Sequence, residues 1–204
     1  MKKALLAGIM FLAVSFALFA QGAYFDIGLG IGWAWTEIDG EDVAKWLEDS
    51  GANFDEVGVD LSLKIGYGPL GRAPIYIVGE LGGVGHRIED NTGFIQFNSY
   101  IIGGGLLVYP VSFIQLAGSI GFSSASNDSD IYIAYNSKKN GGFAYNASVA
   151  FDLGKGNHGC LIGLRYFNAA NELKILDYKQ SQIGLSIFVK YAYRHKLTPK
   201  PTAK

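Results

Sequence analysis

The sequence has little cysteine, little charge and almost no long apolar run, and each shortage excludes something. Cys160 is the one cysteine, so no internal disulfide can staple the fold. A lone cysteine inside an apolar run reads as a small hydrophobe, buried or facing lipid, rather than as a nucleophile or metal ligand. Charged residues make up 17% of the 204 residues, below the roughly one quarter usual for soluble domains. The formal net charge is −1, so no bulk field points to nucleic acid or to an anionic surface. After the first segment no stretch of 18 apolar residues remains, which excludes a helical span from the rest of the chain. The histidines His86, His158 and His195 lie far apart, and no Cys or carboxylate spacing suggests a metal site. No cofactor is expected. Ser123-Ser124 and His86 are the only material near a hydrolytic pair, and the expectation is that the chain is not an enzyme. Gly28-x-Gly30-x-Gly32 is no nucleotide loop, because it lies inside a strand pattern and opens no helix. No repeat period and no domain linker divides the chain.

What is abundant is glycine, at 28 residues, and aromatics, at 14%, within a 49% hydrophobic composition. Glycine and aromatics with few charges suit a β-rich protein in an apolar solvent. The first segment is for targeting. Met1-Lys2-Lys3 supplies positive charge, Ala4 to Ala20 is apolar, and small residues follow at Ala20, Gly22 and Ala23. That is the order of a secretory signal, read over 1–22 with cleavage after Ala20, Gly22 or Ala23. The apolar run is a little short of the roughly 20 residues of a spanning anchor. No Cys lies near, which excludes a lipoprotein anchor there.

Strict period two begins at once. Phe25, Ile27, Leu29, Ile31, Trp33 and Trp35 alternate with small or polar residues, so one strand carries two unlike faces. Val57, Val59, Leu61, Leu63, Ile65 and Tyr67 repeat the pattern. Further strands are predicted over 75–86, 94–109, 113–124, 143–151, 160–167 and 178–193, which makes eight. Spanning strands need about 9–11 residues, and most of these reach that length. Short turns at 69–73, 110–112 and 154–157 alternate with longer connections at 37–56, 87–93, 125–142 and 168–177. This is the asymmetry of outer-membrane barrels, with short turns in the periplasm and longer loops outside. Within the first long loop, Glu41–Ser50 places Val43, Trp46 and Leu47 on one face of a short helix that Gly51 can stop. Ile131 to Tyr135 suggest a hairpin rising above the membrane. The barrel is read over 23–193 and a flexible basic tail over 194–204.

Two physical arguments turn the apolar face outward. The other face is mostly Gly, Ala and Ser with isolated charges, whereas a water-facing surface carries roughly 25–35% charged residues. An eight-stranded barrel also has an interior only just wide enough for side chains, and the large apolar set would crowd it. Trp33, Trp35, Tyr67, Tyr109, Tyr191 and Tyr193 lie near strand ends, where interfaces favour amphipathic rings, and are read as an aromatic girdle.

The Gly/apolar alternation of Tyr24–Thr36, the Gly-Leu-Arg-Tyr-Phe segment at Gly163–Phe167 and the last strand together resemble the small outer-membrane β-barrel family typified by the OmpA barrel, OmpX and OmpW. In that last strand Gln182-x-Gly184-x-x-Ile187-x-Val189 is similar to the signal that barrel-assembly machinery reads, although Tyr193 is followed by eleven further residues where the family ends on an aromatic. The resemblance implies an all-β, eight-stranded antiparallel transmembrane barrel in the cell outer membrane. It also implies lipid and the assembly machinery as partners, and a monomer. Parity places Asp26, Asp60, Lys64, Glu80, Arg165 and Lys190 in the lumen, where they should pair because a cation facing lipid costs about 2–4 kcal/mol. Three functions stay open. They are a structural or narrow-pore barrel for small or hydrophobic solutes, as the resemblance implies, a surface adhesin binding host molecules through its long loops, and a soluble lipocalin-like barrel.

Overall fold

The computed structural model describes residues 22–70, 73–130, 138–173 and 178–194. The leader apart from Gly22, the tail from residue 195 and the hairpin tip read at Ile131 to Tyr135 lie outside these residues. The elements run β1 (Ala23–Ile38), β2 (Glu41–Asp42), α1 (Val43–Asp49), β3 (Asp55–Tyr67), β4 (Ile75–Glu89), β5 (Phe94–Val111), β6 (Ile114–Ser129), β7 (Lys138–Asp152), β8 (His158–Leu173) and β9 (Tyr178–Arg194). The two-residue β2 folds back on the end of β1, pairing Glu37 with Asp42 and Ile38 with Glu41. The eight long strands pair antiparallel in the order β1-β3-β4-β5-β6-β7-β8-β9. β9 then returns to β1, from Tyr24↔Arg194 to Ile38↔Gln180. One chain therefore closes the barrel and leaves no long edge unpaired.

The alternation in the sequence becomes the two faces of this wall. Leu29 is 63% exposed, Ile31 69%, Ile120 62% and Phe122 80%, on strands whose inward neighbours are buried. Apolar side chains on the exterior and charges in the interior invert the rule for a water-soluble fold. From Phe25 to Trp35 the outward row of β1 covers about 33 Å of strand, or about 25 Å of height at a tilt near 40°. That matches the apolar band of a membrane barrel. The barrel is narrow enough that strands must approach closely where they curl. A Cβ on the inward Gly103 would strike the carbonyl oxygen of Ile120, and one on Gly105 would strike that of Gly118.

The strands are longer than the sequence pattern predicts, and the difference lies mostly at one end. The second long connection shrinks to 90–93, where Asp90 Oδ1 accepts from the Thr92 hydroxyl at 2.6 Å, Thr92 N at 2.7 Å and Gly93 N at 3.0 Å. Those bonds hold the Asp90 carboxyl below its ordinary pKa. β6 runs on to Ser129 and β7 starts at Lys138. Among the described residues, the asymmetry of the barrel is thus carried largely by paired strands rising past the apolar band. Polar outward residues on these overhangs (Gln96, Asn98, Ser126 and Asp128) show where the apolar band stops. The helix is also shorter than Glu41–Ser50. Asp42 caps it, accepting from Ala44 N at 2.9 Å, because Glu41 and Asp42 are drawn into pairing with β1. Gly51 follows the Ser50 cap at φ +80°.

A substitution on the outer face tests its solvent. Leu29→Arg should lower the unfolding free energy in a lipid bilayer by about 2–4 kcal/mol, read from denaturant titration. A barrel bathed in water would lose nothing at so exposed a position.

Candidate functional site

The interior is stacked in layers, and the middle one is ionic. Arg165 projects inward from β8 with Nη1 at 2.8 Å from both carboxylate oxygens of Asp60 on β3. Its Nη2 donates to Glu80 Oε1 on β4 at 2.7 Å. Lys64 Nζ stands 3.5 Å from the same Glu80 oxygen, across the register pair Lys64↔Glu80. Ser186 on β9 donates to Asp60 Oδ2 at 3.2 Å. Below, Lys190 Nζ lies 3.5 Å from Asp26 Oδ1, with the Phe188 ring 4.5 Å from the ammonium. The six residues that parity placed in the lumen are brought together there, as three carboxylates against three cations. Arg165 has 0% exposure, Asp60 1%, Lys64 1% and Glu80 3%, so no water-sized opening reaches the cluster. Removing such groups from water is tolerated because each charge finds an opposite one within hydrogen-bond reach or close to it.

The layer nearest the short turns is a second closure. Tyr24 and Tyr76 meet as tilted rings with centroids 5.3 Å apart, and Tyr76 and Tyr109 pack edge to face at 6.2 Å. Gln115 Nε2 donates to the Tyr24 hydroxyl at 2.9 Å and the Tyr109 hydroxyl at 2.8 Å. Each hydroxyl in turn donates a hydrogen bond to a carboxylate, Tyr24 to Asp26 at 2.6 Å and Tyr109 to Asp152 at 3.1 Å. Arg194 completes the set, 2.9 Å from Asp152 Oδ2 and 4.1 Å over the Tyr109 ring.

Two sequence readings are corrected here. Tyr109 does not belong to an outward girdle. It is 4% exposed and shares the inward parity of Phe97, Ile101 and Leu107 on β5, with its hydroxyl satisfied inside. Arg194 is not part of a tail. It ends β9, paired with Tyr24 in register, because Asp152 and the Tyr109 ring hold its guanidinium. The other girdle residues face out. Trp33 (63% exposed) and Trp35 (43%) stand toward the outer end, Tyr67 (46%) and Tyr191 (47%) toward the turns. Tyr193, on the same parity, rests its ring against His158. In β9, Gln182 donates inward to the Phe97 carbonyl at 3.1 Å, and a Cβ on Gly184 would crowd Val84. Ile187 and Val189 face outward.

The outer mouth carries what the sequence pattern missed. Val43, Ile88 and Phe97 form a buried apolar cluster, with Ile38, Leu47, Phe54 and Ile95 packed on it. The helix α1 is thereby folded against the lumen opening. Beside it, Ile38, Val43, Ile95 and Phe97 floor a cavity of about 330 Å³ whose walls are Trp46, Glu41 and Asp42. The signal for this site was present as charge. Residues 37–56 hold eight carboxylates and one ammonium, a net of −7, inside a chain of net −1. Just beneath, Thr36 Oγ1 lies 2.9 Å from His86 Nδ1, and His86 Nε2 3.2 Å from Glu56 Oε2. Hydroxyl, imidazole and carboxylate stand in the order of a hydrolytic triad. Thr36 is 0% and His86 1% exposed, and the trio links the neighbouring strands β1, β4 and β3 on one side of the mouth.

No family model matches the sequence, and no curated protein matches it. Solved structures do match. Ail, the attachment invasion locus protein of Yersinia pestis, solved in complex with the heparin analogue sucrose octasulfate, is 15% identical with a TM-score of 0.51, covering 85% of this chain and 99% of Ail. A second structure of Ail, without that compound in its description, gives 14% identity and 0.50 over the same shares. Neisserial surface protein A is 12% identical with a TM-score of 0.46, covering 83% of this chain and 96% of that one. The fold is that of the small eight-stranded outer-membrane β-barrels.

Removing the central cation should expose how much rests on it. Arg165→Ala leaves Asp60 and Glu80 buried with their main partner gone, and should cost about 3–5 kcal/mol of stability. Asp60→Asn, which keeps a hydrogen-bond acceptor beside Arg165, should cost less. Denaturant midpoints in lipid vesicles check the order.

Proposed function

We propose that this chain sits in the outer membrane as a monomeric, occluded barrel and works from its outer end as an interaction surface, rather than as an open pore. The observation that carries the reading is Arg165, which spans the lumen from β8 to β3 and β4 with no water-sized space beside it. The tyrosine layer closes the same path a second time. With both layers in place, the barrel wall functions as a scaffold, and the groups able to meet a partner are those on the overhanging strands and α1. Functional residues borne on connections over a rigid frame are a common arrangement. On this reading the chain carries no catalysis, and the Thr36–His86–Glu56 trio only braces the mouth. The β9 pattern from Gln182 to Val189 fits a substrate of barrel-assembly machinery, which would insert the strands and close β9 on β1. The compound in the Ail complex, sucrose octasulfate, is a polyanion. The acidic 37–56 segment of this chain would repel such a molecule, so the partner here is of a different charge class.

Planar-bilayer recording tests the closed lumen. The wild-type barrel should show no steady ionic current, and the double variant Arg165→Ala/Glu80→Ala should show an increase over it. A steady wild-type current of the size a water-filled pore passes would overturn the reading.

A further inference from the structure

Resting on the reading of the outer end as a working surface, we infer that the cavity at the lumen mouth binds a basic protein segment that inserts one apolar side chain between α1 and β5. Three observations meet at this place. The floor is apolar and built from residues on the inward parity of their strands, Ile38, Ile95 and Phe97, joined by Glu41, Asp42 and Trp46 of the first connection. Trp46 stands on its wall 60% exposed. A large indole left in contact with water over a polar-rimmed apolar recess is the usual form of an anchor pocket. The rim is negative, with Glu41 and Asp42 lining the cavity itself. They belong to the first connection, whose residues 37–56 carry a net −7.

The size and the charge together select the occupant. About 330 Å³ lies at the small end of the roughly 300–1,000 Å³ of small-molecule pockets. It admits an aromatic or branched side chain and excludes a folded domain. A single small cation would leave most of the acidic rim unanswered. A segment with lysines or arginines on both sides of an apolar residue answers the recess and the rim at once. Its basic side chains can also stack on the Trp46 face. The charge on 37–56 would steer such a segment in, and like-charged partners would be turned away.

The test uses the full chain folded in nanodiscs of zwitterionic lipid, with isothermal titration calorimetry against three synthetic peptides. Lys-Lys-Phe-Lys-Lys should bind. Lys-Lys-Ser-Lys-Lys and Glu-Glu-Phe-Glu-Glu should each bind at least about tenfold more weakly, the first for the loss of a buried ring and the second for charge. Sucrose octasulfate should not bind. Trp46→Ala and Glu41→Gln, both at exposed positions, should each weaken the first peptide severalfold, with heat-modifiable gel migration showing that the barrel is intact. In 1 M salt, where screening acts within about 3 Å, the charge preference should collapse while the preference for Phe over Ser persists. Equal binding of the Phe and Ser peptides would overturn the proposal, as would binding unmoved by either variant, or binding of the acidic peptide or the polyanion as strong as that of the basic one. A non-conducting barrel that ignores all three peptides also overturns it while leaving the closed-lumen reading intact. A conducting barrel that binds the basic peptide does the reverse.

Discussion

Eight strands enclose a space that side chains fill and little else can enter, and the ionic cluster around Arg165 is how this chain fills it. The rest of the interior is arranged about that cluster. Asp60, Glu80 and Arg165 come from three different strands, β3, β4 and β8, and their contacts tie opposite walls across the lumen. Long side chains in the middle require short ones beside them. Ser62 and Ser186 are buried at that level, and Gly82 lies close enough that a Cβ there would approach the Arg165 guanidinium. The charges cancel within the layer, so the cluster needs no counterion. The tyrosine layer beneath repeats the logic with neutral groups. Gln115 donates hydrogen bonds to two hydroxyls, which in turn donate to Asp26 and Asp152. Asp26 belongs to both layers, since it also meets Lys190, and couples them.

A lumen closed in this way moves the useful surface to the ends, and the two ends differ in charge. Near the short turns the described side chains include the cations Lys155 and Arg194 and the acids Asp26 and Asp152. The outer end is dominated by carboxylates, most densely in the first connection. The strands that overshoot the apolar band hold that connection up as a rigid rim, and Asp39 ties it across to β9, accepting from Lys179 N at 2.8 Å. The helix α1 is then pressed onto the apolar cluster of Ile88 and Phe97 through Val43. Seven residues of helix would not persist alone in water. Their order comes from this packing and from the Asp42 cap, so the shape of the mouth depends on the barrel beneath it.

The architecture was legible because it rests on a signal of period two, and that period is set by the backbone. Strand count, closure, the outward face of Leu29 or Ile120 and the inward parity of the six charged residues all follow from it. Which charges touch was legible for neighbouring strands, Lys64 with Glu80 in register and Asp26 with Lys190 where β1 meets β9. Arg165 reaches across the lumen, over 105 residues of sequence from Asp60, and alternation carries no information about contacts through the middle of a barrel. Tyr109 lies near a strand end, where an outward ring is expected, but its parity with Leu107 turns it into the lumen. Arg194 was misplaced because composition turns basic there, while its partners Asp152 and Tyr109 lie far back in the chain. The mouth was the least legible. Its floor joins Ile38, Val43, Ile95 and Phe97 from three elements, and its acidity is diluted in a chain of nearly zero net charge.

The polar plug also answers a problem of specification. Its ion pairs gain little against a well-packed apolar filling of the same volume, so stability alone does not account for them. A barrel in lipid has an apolar exterior already. Were the interior apolar too, the two faces would be equivalent, and a strand could slip by one residue at small cost, since slippage is resisted only where the faces differ. Charges on the inward parity remove that equivalence. A one-residue slip of β3 would turn Asp60 and Lys64 toward lipid, and one of β8 would turn Arg165 outward. Each cation misplaced near the midplane costs about 2–4 kcal/mol, and its former partner is left buried and unpaired. The same six side chains that close the lumen thus fix the register of the strands that form it. The occlusion of the barrel is then a consequence of the same side chains that specify its register.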